Sequence, residues 1–333
     1  MKRLAWLGAL AGLVLLTALV VAQGWSAILA TFAHAGWALL LVLPARLLTL
    51  ALDTRAWRLL LDPFDPGRAA GPLFLLWVGS VREAVNRLLP VAGVGGEVVG
   101  VRLALLRIPD TTALAATVIV EVLLTIGVIY LFCGIGVLLM AHLAAGLGQV
   151  WIVGASLLLS LPLPLLAWWL LRHGAPFARL ERWALRLLGP QNALSLHLDG
   201  KRLDACIKHL SGQRGRLARA GGLMLLSYLL GTFETWFALA LLGHPVSLPT
   251  AIAIEALTQA TRHASFLVPA GLGVQEAAVL LFGRLAGVGG EVALSLALVK
   301  RMREIALGVP ALLSWQWLEA RRIKAARYAR PDS

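Results

Sequence analysis

The sequence predicts an all-α polytopic membrane protein with about six full spans and two oppositely oriented re-entrant helical hairpins in an inverted repeat. Three observations lead there. Hydrophobic residues fill 59% of the 333 positions and charged ones 14%, against about 25% charged in a soluble domain. Apolar runs long enough to cross about 30 Å of hydrocarbon recur along the whole chain, and mean hydropathy is +0.82. Two regions, 72–107 and 250–286, each run from an apolar helix into a Pro/Gly break and then a second, short helix.

Taken in order, the spans fall at 4–22, 37–61, 113–140, 150–171, 220–242 and 291–318. Met1-Lys2-Arg3 ahead of Leu4 to Ala22 has the look of a signal peptide, but the run is long for one and more spans follow, so it reads as the first span. The chain then divides into four parts. An amino-terminal membrane half, 1–171, contains the first broken hairpin, and a basic segment follows at 172–219. The carboxyl-terminal membrane half, 220–320, contains the second hairpin, and a basic tail closes the chain at 321–333.

The net charge of +13 would suggest nucleic acid in a soluble chain. Here the Lys and Arg outside the spans and hairpins gather on one side of the membrane, and the outer loops hold only Arg284. That asymmetry puts both termini in the cytoplasm of a bacterial inner membrane and points to anionic headgroups, not nucleic acid. Segment 172–219, with pieces such as Phe177 to Leu188, reads as amphipathic helix on the leaflet or as a solvated basic linker. Cys133 lies in an apolar run and Cys206 in a basic loop, so no disulfide and no cysteine metal site is expected.

The broken regions resemble each other. Asn86-Arg-Leu-Leu-Pro90-Val-Ala-Gly-Val-Gly95-Gly96-Glu97 parallels Ser265-Phe-Leu-Val-Pro269-Ala-Gly271-Leu-Gly273-Val-Gln-Glu276, each with a glutamate seven residues after a proline. The breaks are thus assigned to Pro90, Gly95, Gly96 and to Pro269, Gly271, Gly273. With the topology above, the first enters from the cytoplasm and the second from outside. Backbone that leaves the helix in hydrocarbon must be buried in protein or line a watery cavity.

Spans and hairpins also carry Arg46, Arg82, Arg87, Arg262, Lys300, Arg301 and Arg303, with Glu83, Glu97, Glu121, Glu234, Glu255, Glu276 and Glu304. Each would cost about 2.5–3.5 kcal/mol alone at the bilayer centre, so they must pair or line a wet cavity. The spacing suggests one cluster of Arg262, Glu276, Arg301 and Glu304, with Arg82, Arg87, Glu97 and Glu121 as its counterpart in the other half. These eight are the candidate substrate or ion pathway; the competing reading is salt bridges that only fix helix packing. Glu97 and Glu276 begin short helices, where a carboxylate meets the positive helix end. No nucleotide, metal or dinucleotide motif is present, so no cofactor, no metal and no enzymatic activity is expected.

Pro269-Ala-Gly-Leu-Gly-Val-Gln-Glu276-Ala277, followed by the segment to Lys300-Arg301, resembles the flippase-like transmembrane family found in lysylphosphatidylglycerol synthases. Arg82 to Glu97 is most similar to its hopanoid-biosynthesis-associated, HpnL-like branch. Pro269, Gly271, Gly273 and Glu276 match that family's pattern, whereas Ala270 replaces a usual glycine and Gln275 stands where Arg is common. The resemblance implies a protein that moves or presents membrane lipids, hopanoids or anionic phospholipids, with hopanoid-biosynthesis enzymes as candidate partners. The aminoacyl-transferring domain of the synthases is not found after the membrane part, so lysyl-lipid synthesis is not expected. Two alternatives to transport stand beside this one: a non-transporting scaffold for hopanoid-modifying enzymes, and an ion-coupled carrier of a small solute.

Overall fold

The computed structural model describes residues 36–89, 95–143, 154–155, 158–179, 199–265, 268 and 271–328, which are helical with no strand among them. The expected first span at 4–22, Pro90, Pro269 and Ala270 lie outside these residues, as do much of 144–161 and the stretch 180–198.

A 3-10 turn, Gly36–Leu41, leads into α1, Val42–Leu61. The first broken pair follows as α2, Pro72–Leu88, and α3, Gly95–Ala104. Next come α4, Thr111–Leu143, and α5, Pro162–His173. A short helix α6, Gly200–Gly212, precedes α7, Arg214–Leu241. The second broken pair is α8, Leu248–Ala264, with α9, Val274–Leu285, and α10, Gly290–Tyr328, completes the described chain.

Large apolar side chains face outward, and charged groups are buried inside an otherwise apolar core. Leu73, Leu138 and Leu159 are 80%, 73% and 84% exposed, while Arg82, Glu121, Glu234, Glu255, Glu276, Lys300, Arg301, Arg303 and Glu304 are buried. Water favours the opposite distribution, and hydrocarbon favours this one. By length and composition, Thr111–His142 and Arg214–Leu241 are apolar enough to cross a membrane. Helix α1 has 20 residues and α10 has 39, long enough to cross, but Arg46 and Asp53 interrupt one, and Lys300, Arg301, Arg303 and Glu304 the other.

Helices α2 and α8 both have 17 residues and a proline in the first turn. Their partners α3 and α9 have 10 and 12 residues, spanning about 15–18 Å at 1.5 Å per residue, too short to cross about 30 Å of hydrocarbon. The first pair folds back on itself. Gly96 N–H donates to Asn86 Oδ1 at 2.8 Å, and a Cβ at Gly100 would meet Arg82 Cδ at 2.5 Å.

The packing is reciprocal. α1 packs on α7, α2 on α10 and α8 on α4, a set that maps onto itself when α1 to α4 exchange with α7 to α10. Matching glycines permit the matching crossings. A Cβ at Gly136 of α4 would lie 2.5 Å from Ala256 Cβ of α8, and one at Gly308 of α10 would lie 3.4 Å from Ala84 Cβ of α2. Small residues allow such close helix approach in membranes.

Within the basic segment, Asp199 caps α6 by accepting from the N–H groups of Lys201 and Arg202 at 3.0 Å. Leu203, Ile207 and Leu210 of α6 join a core with Ala116 and Val120 of α4. The apolar face of 200–212 is therefore covered by protein, not by acyl chains as the leaflet reading supposes; of Phe177 to Leu188 only the start is described.

Candidate functional site: a charged cavity between the helical pairs

A cavity of about 390 Å³ opens between α1, α2, α7 and α8, reaching the breaks of both helical pairs. Arg82, Arg87, Glu97, Glu121 and Arg262 from the sequence reading line it, together with Arg46, Glu83, Glu234, Glu255 and Arg303.

On one wall, Arg82 donates two hydrogen bonds to Glu121, Nη2 to Oε2 at 2.9 Å and Nη1 to Oε1 at 3.3 Å. It also pairs closely with Glu97 and lies with its guanidinium 4.8 Å from the Trp57 ring centre. Asn86 reaches Glu97 Oε1 at 3.4 Å through Nδ2 while its Oδ1 holds the Gly96 N–H at 2.8 Å. One amide thereby ties the start of α3 to α2 and steers its first carboxylate toward Arg82.

A second network crosses between the halves. Arg46 pairs with Glu83. Arg87 lies 3.6 Å from Glu83 through Nε and donates Nη1 to Glu304 Oε1 at 3.1 Å. Glu304 accepts from Arg301 at 2.9 Å, and Arg301 also donates to Glu276 Oε1 from Nη2 at 2.9 Å and from Nε at 3.1 Å. Arg303 pairs with Glu234, and Lys300 with Glu255, which also accepts from Thr235 at 2.5 Å and from Gln259 at 2.9 Å.

Two groupings read from sequence therefore change. Arg87 does not join Arg82, Glu97 and Glu121; it bridges to Glu304, because α2 packs on α10 rather than on the span that follows it. Arg262 does not join Glu276, Arg301 and Glu304, which line no part of the cavity. Its guanidinium lies instead by Gly271, whose φ of +60° only glycine adopts easily, with Nε 3.7 Å from where a Cβ would stand. Among the described residues Arg262 forms no ion pair.

The sequence reading passed over Asp53, which lines the cavity beside Arg46 and the Ser227 hydroxyl. Its neighbours Arg55 and Arg58 read as an interfacial cluster, which disguises a carboxylate facing inward. Glu234 Oε1 and Glu276 Oε2 are buried with no hydrogen-bond partner among the described residues. No group of His, Cys, Asp and Glu there could hold a metal ion.

Exposed leucines outside and buried ion pairs inside, with helices too short to cross after each break, are the layout of a membrane-embedded protein. A family model described as the lysylphosphatidylglycerol synthase TM region matches residues 6–311. The chain belongs to that family. No curated protein and no solved structure matches it. As a member of the lysylphosphatidylglycerol synthase transmembrane-region family, it is a membrane protein associated with lipid, and the match covers both helical pairs and the cavity between them.

Proposed function

We propose that this protein is a lipid transporter of the bacterial inner membrane. The polar headgroup of its substrate passes through the cavity while the apolar part stays in the bilayer. The two helical pairs are re-entrant, the first entering from the cytoplasm and the second from outside, and both termini are cytoplasmic. Hopanoids with polar headgroups are the leading substrate class, on the likeness of Arg82 to Glu97 to the hopanoid-associated branch. The protein itself catalyses no covalent step.

One observation carries this reading: a cavity walled by both broken pairs contains Arg262, a guanidinium with no carboxylate partner among the described residues, while every other arginine lining it is paired. A cavity of about 390 Å³ suits a headgroup, at the low end of the roughly 300–1,000 Å³ of small-molecule sites. A guanidinium held in low dielectric attracts an anionic or strongly polar headgroup more strongly than one in water. Glu234 Oε1, an acceptor with no donor among the described residues, supplies the complementary contact.

The test is purified protein in liposomes carrying a fluorescent hopanoid or glycerolipid in one leaflet, with movement read by quenching from outside. Movement well above protein-free liposomes is expected; no movement of either lipid class would end this reading.

A further inference from the structure

A second cavity, of about 320 Å³, lies on the flank of the molecule where α1 ends and α2 begins. Its floor is apolar, formed in part by Leu59, Leu73 and Leu76, and its rim carries Arg55, Arg58 and Arg68. Leu73 is 80% exposed at the edge of this groove, so the apolar floor continues onto the outer surface of the protein.

The three cations are not equivalent. Arg58 takes both nearby carboxylates, Asp62 at 3.1 Å and Asp65 at 2.5 Å, and donates to the Ala70 carbonyl at 3.1 Å. Asp65 also accepts the N–H groups of Ala69 at 2.8 Å and Ala70 at 3.1 Å. Burial opposes its ionisation, but the hydrogen bonds from Arg58 and these two amides outweigh it and hold its pKa below the usual carboxylate range. That closed set leaves Arg55 and Arg68 exposed, with no carboxylate partner among the described residues.

Each is fixed in place by the chain. Arg55 sits six residues before the end of α1, about 9 Å down the helix axis, where a charge facing lipid needs an anion or must reach up to the headgroups. Arg68 stands in the left-handed region at φ 52°, costly for a non-glycine residue. The surrounding loop imposes that conformation, since its own N–H donates to the Asp65 carbonyl at 3.0 Å. Phe64 of the same loop meets His209 of α6 edge to face, and Arg202 of α6 pairs with Asp110 at 2.6 Å. The groove is therefore at the end of the molecule that carries the basic segment.

We propose that this groove is a binding site for one anionic glycerophospholipid of the cytoplasmic leaflet. Its phosphate lies between Arg55 and Arg68, and an acyl chain runs over Leu59, Leu73 and Leu76. Unpaired cations on the rim of an apolar groove complement such a lipid in both charge and shape, and no soluble anion would use the floor. The site touches the central cavity only through the shared Thr54, shares no charged residue with it, and does not depend on the transport reading.

Native mass spectrometry of the full-length protein, titrated in detergent with phosphatidylglycerol or phosphatidylcholine, tests it. Replacing both arginines in Arg55→Gln/Arg68→Gln is expected to weaken the first phosphatidylglycerol about thirty-fold, the combined effect of two interfacial cations, while phosphatidylcholine binds both proteins alike. Both side chains are exposed, so the melting temperature of the variant is expected to match the parent. Arg262→Gln is expected to leave this binding unchanged. Equal phosphatidylglycerol affinity in parent and double variant would overturn the proposal. So would a loss caused by Arg262→Gln, which would put the bound lipid in the central cavity.

Discussion

Arg87 in the first helical pair donates from Nη1 to Oε1 of Glu304 on α10 at 3.1 Å, and this contact fastens one half of the molecule to the other. Glu304 is shared: Arg301 reaches its second oxygen at 2.9 Å and Arg303 lies 3.8 Å from the first. The ion pairs from Arg46–Glu83 through Arg87, Glu304 and Arg301 to Glu276 thus form a chain, and removing different members has different consequences.

Arg301 is the member with most depending on it, because Glu276 is fully buried and draws its two hydrogen bonds from Arg301. Arg301→Ala is expected to cost about 3–5 kcal/mol, the usual penalty for stranding a buried charge, measured by unfolding in detergent. Adding Glu304→Ala is not expected to recover it, since Glu276 stays unpaired; adding Glu276→Ala is expected to recover more. Equal recovery from both additions would contradict this assignment of partners.

Gly96 is held under the backbone of α2, where a Cβ would lie 2.3 Å from the Arg82 carbonyl oxygen. Gly96→Ala is expected to destabilise by about 1–3 kcal/mol, as for overpacking elsewhere. Gly127→Ala, whose Cβ meets nothing within 4 Å, is expected to be neutral or slightly stabilising in the same α-helical setting. Thermal melts of the two variants side by side decide the matter.

The proposed opposite entry of the two pairs predicts opposite labelling. In a background with Cys133 and Cys206 replaced, a membrane-impermeant maleimide is expected to reach a cysteine at Arg107 from the cytoplasmic side and one at Gly287 from outside. Labelling of both from one side would remove the inverted arrangement.

Much of this is legible in the sequence, and what is not has a definite physical reason. The helix ends at Leu88 and Ala264 are legible because Pro and Gly follow them and are costly in hydrocarbon, although Gly95 and Gly96, assigned to the first break, open α3 instead; the Arg301–Glu304 pair is legible because residues three apart on a helix are neighbours. Neither the partner of Arg87 nor the position of Arg262 beside Gly271, apart from Glu276, is legible: both depend on which helix α2 and α8 pack against. Gly308 and Gly136 decide those crossings, and a glycine in an apolar span does not announce its neighbour. Asp53 escaped notice because Arg55 and Arg58 follow it, so its stretch reads as the basic end of a span.

Arg262→Gln in the liposome assay tests the central claim most directly, because among the described residues this guanidinium has no ion pair to lose. The variant is expected to fold with stability within about 0.5 kcal/mol of the parent, as for a partner-free substitution, and to move labelled lipid between leaflets at least about ten-fold more slowly. A folded Arg262→Gln protein that moves lipid at the parent rate would contradict passage of the headgroup past Arg262.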